Sequence, residues 1–246
     1  FEVYVGRFPV DNSSELGVMT SKVSSYTANP VVSSITNVLL LGEHLWGPPD
    51  FDTDTYGKSY MEELRGFCNA NSYETSGIDD NFTISTLYDL DYGGYYGWGM
   101  FQLLQKINNE MPALINHLGH CNVSYALKLY DSDVNTTNFI NNGSDSNYFI
   151  IYSQGCYAAS FDGRNSSNSY AEDDCIAEAF LTISTGAVAY IGNSRYGFGS
   201  PYDTDGAGQR FHRFFYNGFF DQNLNGLERL NAYSKEINAN YVLEED

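Results

Sequence analysis

The chain predicts an α/β protein with a mostly parallel central sheet. Three observations carry this. Apolar, strand-like runs alternate with amphipathic, helix-like stretches, the signature of βαβ units. Several runs lack polar alternation, as strands do when helices cover both faces. Two runs also end at a reactive side chain, one at His120 and one at Cys156. In open α/β sheets the carboxyl ends of parallel strands are where chemistry is placed.

Taken in order, the strand-like runs are residues 3–6, 37–41, 83–88, 114–118, 148–153 and 187–191. Each is short, apolar and rich in branched or aromatic residues. Between them, helical patterning predicts helices at 15–26, 59–68, 98–108, 175–184 and 208–219. Polar loops are expected at 47–56, 131–147 and 160–173. No internal repeat and no linker divides the chain, so residues 1–246 read as one domain.

Hydrophobic residues make up 42% of the 246, enough for a sizeable core. Lys plus Arg is 12 and Asp plus Glu is 31, so the net charge is 12 − 31 = −19. That balance argues against nucleic acid or an anionic membrane as partner, since both need a basic footprint. No apolar run approaches the ~20 residues that span a bilayer, so no membrane insertion is expected. Six Asn-x-Ser/Thr sequons begin at Asn12, Asn81, Asn122, Asn135, Asn142 and Asn165, most in polar stretches. They suit N-glycosylation of a secreted or cell-surface protein. The sequence opens directly on the strand-like segment Glu2-Val3-Tyr4-Val5-Gly6-Arg7-Phe8, without a signal peptide. It is therefore expected to be part of a longer precursor.

A thiol and an imidazole delivered to one sheet edge make a nucleophile–base pair. Cys156 follows Ser153-Gln154-Gly155 at a strand end, and His120 follows Gly119 at another. His44 is a weaker rival for the base. His117, three residues before His120, should face the opposite side of its strand and sit in the core. His212 falls in the aromatic helix Phe211-His212-Arg213-Phe214-Phe215 and is expected to pack there. Glu43, just past the run at 37–41, is a carboxylate at a third strand end that suits orienting the His120 imidazole. Neither HExxH nor CxxC occurs, which argues against a zincin, a zinc ribbon and a thioredoxin motif. The four cysteines are Cys68, Cys121, Cys156 and Cys175, and their pairing is open. Asp50, Asp52 and Asp54 alternate like calcium ligands, but Thr55 and Met61 stand where an EF-hand needs Gly and Glu. A solvated acidic loop is the simpler reading, and Asp203-Thr204-Asp205-Gly206 is a second, weaker candidate.

These segments together resemble the gingipain-like cysteine peptidases, peptidase family C25. The resemblance is carried by Glu2 to Phe8, Leu40-Leu41-Gly42-Glu43, Asn116-His117-Leu118-Gly119-His120, Tyr152-Ser153-Gln154-Gly155-Cys156, Ile176-Ala177-Glu178-Ala179-Phe180 and Gly186 to Ser194, in the family's order. It implies a caspase-like three-layer α/β/α sandwich. It implies Cys156 as nucleophile, His120 as general acid and base, and Glu43 as the third polar residue. The implied oxyanion hole is made by the backbone N–H groups of Cys156 and of the residue after the histidine. That residue is usually Gly in the family and is Cys121 here. Asp54 is the candidate acidic residue of the specificity pocket, and Tyr196-Gly197-Phe198-Gly199 resembles an aromatic pocket wall. The resemblance implies no cofactor for the chemistry, with structural calcium at Asp50, Asp52 and Asp54 suggested by relatives. The implied partners are a peptide or protein substrate and a prodomain or other surface-protein domains of the same precursor. The leading expectation is a secreted endopeptidase. The alternatives are a transpeptidase using the same residues, and a non-catalytic surface module that keeps the fold.

Overall fold

The computed structural model describes residues 5–48, 54–171 and 174–244. In chain order its elements are α1 (Ser13–Ala28), β1 (Asn37–Gly42), β2 (His44–Trp46), β3 (Thr55–Tyr56), α2 (Gly57–Glu62), β4 (Cys68–Ala70), β5 (Tyr73–Thr75), β6 (Thr83–Tyr88) and α3 (Met100–Glu110). There follow β7 (Leu114–Leu118), β8 (Tyr125–Ala126), β9 (Leu129–Tyr130), β10 (Phe149–Ser153), α4 (Ile176–Thr182), β11 (Ala187–Ile191), α5 (Ala207–Phe220), α6 (Leu227–Ile237) and α7 (Ala239–Glu244).

Five strands form the central sheet in the order β11-β10-β7-β1-β6, and every pairing is parallel. All five carboxyl ends therefore lie at one edge. Strand alternation sorts side chains between two cores. Leu39, Leu41, Ile115 and Ile151 face α1, α3 and α4, where they meet Met19, Leu103, Ile107 and Phe180. Val38, Leu40 and Tyr152 face α2, α5 and α6, where they meet Tyr60, Met61, Phe215, Tyr216 and Leu230. The result is the expected three-layer sandwich. Burial of each large apolar side chain is worth about 1.5–3 kcal/mol, which is what keeps the layers together.

Local signals set the helix ends. Asn12 caps α1, its Oδ1 accepting from the backbone N–H groups of Ser14 and Glu15 at 3.0 and 3.1 Å. The helix expected at 59–68 stops at Glu62, because Gly66 turns the chain at φ +70° and Cys68 enters the β4–β5 hairpin. Arg213 of α5 holds that hairpin by donating to the carbonyls of Cys68, Ala70 and Tyr73. Helix α3 begins after Trp98, which turns into the core instead. Of the strand expected at 3–6, residues 5 and 6 carry no regular structure and the others lie outside the described residues. Among the described residues no helix is long and apolar enough to cross a membrane.

Candidate active site

The register of β10 on β7 brings the strand ends that precede Cys156 and His120 side by side. Tyr152 pairs with Asn116 and Ser153 with His117, and Gln154 N–H donates to the His117 carbonyl at 2.9 Å. Counting on from there sets Gly155 opposite Gly119 and Cys156 opposite His120. On the other side of β7, Gly42 pairs with Leu118, and Glu43 N–H donates to the Leu118 carbonyl at 3.0 Å. Glu43 is thus brought next to Gly119.

Two glycines are required by close approach. A β-carbon on Gly119 would lie 2.2 Å from the carboxyl carbon of Glu43, and one on Gly155 would lie 1.9 Å from the Cys121 sulfur. Neither distance is sterically tolerable, so the glycines that precede His120 and Cys156 make room for the Glu43 and Cys121 side chains.

The half-buried Cys156 Sγ accepts from the Gly197 backbone N–H at 3.3 Å. Tyr157, directly after it, takes a left-handed conformation at φ +60° and donates its N–H to the Arg195 carbonyl at 2.7 Å. An aromatic residue there costs of order 1–3 kcal/mol, and the strain marks the sharp exit of the chain after the nucleophile. Asn193 Nδ2 donates to the Gln154 and Gly155 carbonyls at 2.9 and 3.3 Å, fixing the same strand end.

The His120 ring is oriented differently from expectation. Its Nε2 lies 3.1 Å from the Leu45 carbonyl oxygen. A carbonyl only accepts, so Nε2 carries a proton and Nδ1 is the nitrogen left for acid–base work. Glu43, expected to orient this ring, instead bonds through Oε1 to Nε2 of His117 at 2.8 Å. Both partners are buried. Its Oε2 accepts the His120 backbone N–H at 3.3 Å. The reason is alternation: Glu43 and His117 point to the face of Leu41 and Ile115, whereas His120 emerges on the other. Asp89, buried at the end of β6, fixes the Leu45 segment by accepting His44 N–H at 2.8 Å, and it is itself paired with Lys128 Nζ at 2.5 Å.

Among the described residues, neither Cys121 N–H nor Cys156 N–H has a hydrogen-bond partner. Both are therefore open for an oxyanion. The Cys121 side chain turns away from the catalytic face, its sulfur 3.8 Å from Ser153 Oγ and 3.9 Å from His117 Nδ1. Burial pushes its thiol well above the ordinary range, and the Glu43 carboxylate adds to the shift. All four cysteines are free thiols.

Asp54 lies at the β2–β3 hairpin, its Oδ1 3.3 Å from His44 Nε2. The His44 ring stacks on Tyr95 with centroids 4.0 Å apart. His44 is therefore occupied away from Cys156, with its neighbour Leu45 reaching His120. Tyr196 meets the Tyr157 ring edge-on at 5.0 Å, and Tyr196 and exposed Phe198 flank Gly197, the residue that touches the Cys156 sulfur. Asp50 and Asp52 lie outside the described residues. Among the described residues no group of three or more His, Cys, Asp or Glu is disposed to hold a metal. Asp205 of the second acidic run forms a two-bond ion pair with Arg210 at 2.8 and 3.0 Å. Of the sequon residues, Asn12, Asn81, Asn122 and Asn142 are exposed, while Asn135 and Asn165 are half-buried with their side chains bonded within turns.

His212 does more than pack. It stacks on Tyr152 at 4.2 Å, and its Nε2 meets Asn116 Oδ1 at 3.0 Å while Nδ1 meets Gln154 Nε2 at 2.7 Å. Burial pulls its imidazolium down to about 3, so it is neutral. Gln154, Asn116 and Asn193 support the strand end of the nucleophile, and sequence reasoning passed over all three. The signal available for Gln154 and Asn116 was a polar residue inside or just after an otherwise apolar run.

No curated protein matches this chain. Among solved structures it is similar to a complex of Porphyromonas gingivalis RgpB pro- and mature domains, with a TM-score of 0.65 at 16% identity. The match covers 96% of this chain and 51% of that one, so this chain spans about half the length of the solved relative. At that identity the likeness concerns the fold. The sequence model of peptidase family C25 matches residues 1–243. The chain belongs to peptidase family C25, a family of cysteine peptidases.

Proposed function

We propose that this chain is an endopeptidase in which Cys156 is the nucleophile and His120 the general acid and base. The observation that carries this is the β7–β10 register: Ser153 pairs with His117, so Cys156 and His120 each lie three residues past one pairing, at the same edge of the sheet. The Cys156 thiol gives its proton to His120 Nδ1, and its sulfur attacks the peptide carbonyl carbon and forms a C–S bond while the C=O electron pair moves to oxygen. That oxyanion accepts from the Cys121 and Cys156 backbone N–H groups. His120, held at Nε2 by Leu45, delivers a proton from Nδ1 to the leaving amine as the C–N bond breaks. The same nitrogen then takes a proton from water, whose oxygen attacks the thioester carbon; the C–S bond breaks and that proton returns to the Cys156 sulfur. Glu43 acts on the backbone of His120 rather than on its ring.

Asp54, beside His44 and just before β3, supports a preference for a basic P1 residue, with Tyr196 and Phe198 as the aromatic wall. Peptide or protein substrates and a prodomain of the same precursor are the partners this reading calls for. The exposed sequons Asn12, Asn81, Asn122 and Asn142 support an extracellular setting.

The test is labelling with acyloxymethyl ketone peptides that differ at P1, read by intact mass and peptide mapping. Stoichiometric modification at Cys156 that is lost in His120→Ala is the expected result, with the fastest probe naming P1. A folded protein that no probe labels, with reductant and calcium present or absent, would leave a non-catalytic surface module instead.

A further inference from the structure

We infer that His117 is a positioning residue for this reaction: it is the centre of a buried hydrogen-bond strap that ties the strand end of the base to the strand end of the nucleophile. The inference rests on the peptidase reading above.

The strap runs across β1, β7 and β10 beneath the catalytic face. At one end the His120 backbone N–H donates to Glu43 Oε2 at 3.3 Å. Glu43 Oε1 meets His117 Nε2 at 2.8 Å, and His117 Nδ1 meets Ser153 Oγ at 3.0 Å. At the other end the Gly155 backbone N–H donates to Ser153 Oγ at 3.3 Å. The two terminal N–H groups belong to His120 itself and to the residue before Cys156.

Proton assignment along the strap is consistent. The carboxylate accepts twice, from His120 N–H and from His117 Nε2–H. With the imidazole proton on Nε2, the Ser153 hydroxyl is the donor to Nδ1, and Ser153 Oγ accepts from Gly155 N–H. Every polar atom in the chain has a partner, and the imidazole is fully buried. An apolar residue would fill the same core position without cost in hydrogen bonding only if Glu43 and Ser153 were also replaced. With them present, losing His117 leaves a buried carboxylate oxygen and a buried hydroxyl unpaired.

The strap sits where a small displacement matters. The Cys156 sulfur and His120 Nδ1 must meet one substrate carbon and one substrate nitrogen, and a misplacement of 1 Å can cost roughly a hundredfold in rate. Both terminal N–H groups are taken up by Glu43 and Ser153, so the strap is expected to act on the chemical step and not on substrate affinity.

The test is the inactivation of the full chain by an acyloxymethyl ketone peptide, resolved into kinact and KI, in the wild type, His117→Phe and His117→Gln. His117→Phe keeps an aromatic ring and removes both bonds; kinact should fall about tenfold or more, with KI within about threefold of wild type. His117→Gln, which retains a donor towards Glu43, should recover most of the loss. Should His117→Phe be insoluble, Ser153→Ala breaks the strap one bond further on and should lower kinact in the same sense. A lowered melting temperature with unchanged kinact, or equal losses in the Phe and Gln variants, would reduce His117 to a packing residue and overturn the inference. An unchanged kinact in Ser153→Ala would do the same. Failure of a folded wild type to react at Cys156 would instead remove the peptidase reading, and the inference with it.

Discussion

Cys121 and Gly155 compete for one volume. A β-carbon at position 155 would lie 1.9 Å from the Cys121 sulfur, so this chain carries a side chain at 121 only because it carries none at 155. Gly155→Ala is expected to cost about 1–3 kcal/mol by overpacking, a drop of roughly 2–4 °C in melting temperature per kcal/mol at this size. Adding Cys121→Gly removes the obstructing sulfur and should recover most of the drop. Thermal melts of both single variants and of the double variant decide it; a double variant no more stable than Gly155→Ala would contradict the account.

Acid should loosen the nucleophile strand through His212. Its folded-state value of about 3 lies below the ordinary 6.5, so between those values the unfolded chain binds a proton that the folded chain does not. Stability contributed by neutral His212 is therefore complete above about pH 6.5 and is lost as pH falls towards 3. The slope is about 1.4 kcal/mol per pH unit within that window. Urea unfolding of wild type and His212→Gln at pH 4, 5 and 6 should show the wild type losing stability more steeply by that amount. Parallel curves would mean the imidazole is not excluded from charging.

Asp54 should govern charge preference at P1. Replacing it with Asn removes the carboxylate and keeps its size. The kcat/KM for Lys or Arg at P1 should fall about two- to fivefold, the scale of roughly 0.2–1 kcal/mol for an exposed ion pair. Cleavage after an uncharged residue should change little. Equal losses for charged and uncharged peptides would assign Asp54 to structure, through His44.

Lys22 should be a stability residue remote from the site. Its ammonium is buried and donates to the carbonyls of Phe180, Thr185 and Ala187 at 3.3, 3.0 and 2.7 Å, joining α1 to the end of α4 and the start of β11. Lys22→Met keeps the apolar stem and strands three acceptors, at about 1–3 kcal/mol for each buried group left unpaired. The urea midpoint should fall clearly, while the rate of Cys156 labelling in the folded fraction should not change.

How much of this was legible follows from the physics of each element. The runs at 83–88, 114–118 and 187–191 match their strands because each is short and rich in β-branched, aromatic or aliphatic residues, too short for a helix. Helix α6 escaped notice because its apolar positions, Leu227, Leu230 and Tyr233, are sparse among charged residues. Alternation correctly set His117 and His120 on opposite faces. It could not say which of them Glu43 reaches, because that depends on β1 lying beside β7, a fact of topology rather than of local pattern. The same limit hid Leu45, whose contribution is a backbone carbonyl and leaves no mark in residue type. Trp98 reads as a helix residue by its surroundings, yet the buried Asp89 carboxylate accepts its N–H at 3.2 Å and draws it inward.

The three residues at the centre of the site are far apart along the chain: Glu43 and His120 are separated by 77 positions and His120 and Cys156 by 36. They meet only when β1, β7 and β10 have all docked, pairings that close long loops and so come late in folding. A nascent or partly folded chain thus carries a cysteine with no base beside it. Reactivity at Cys156 becomes a report on completed assembly.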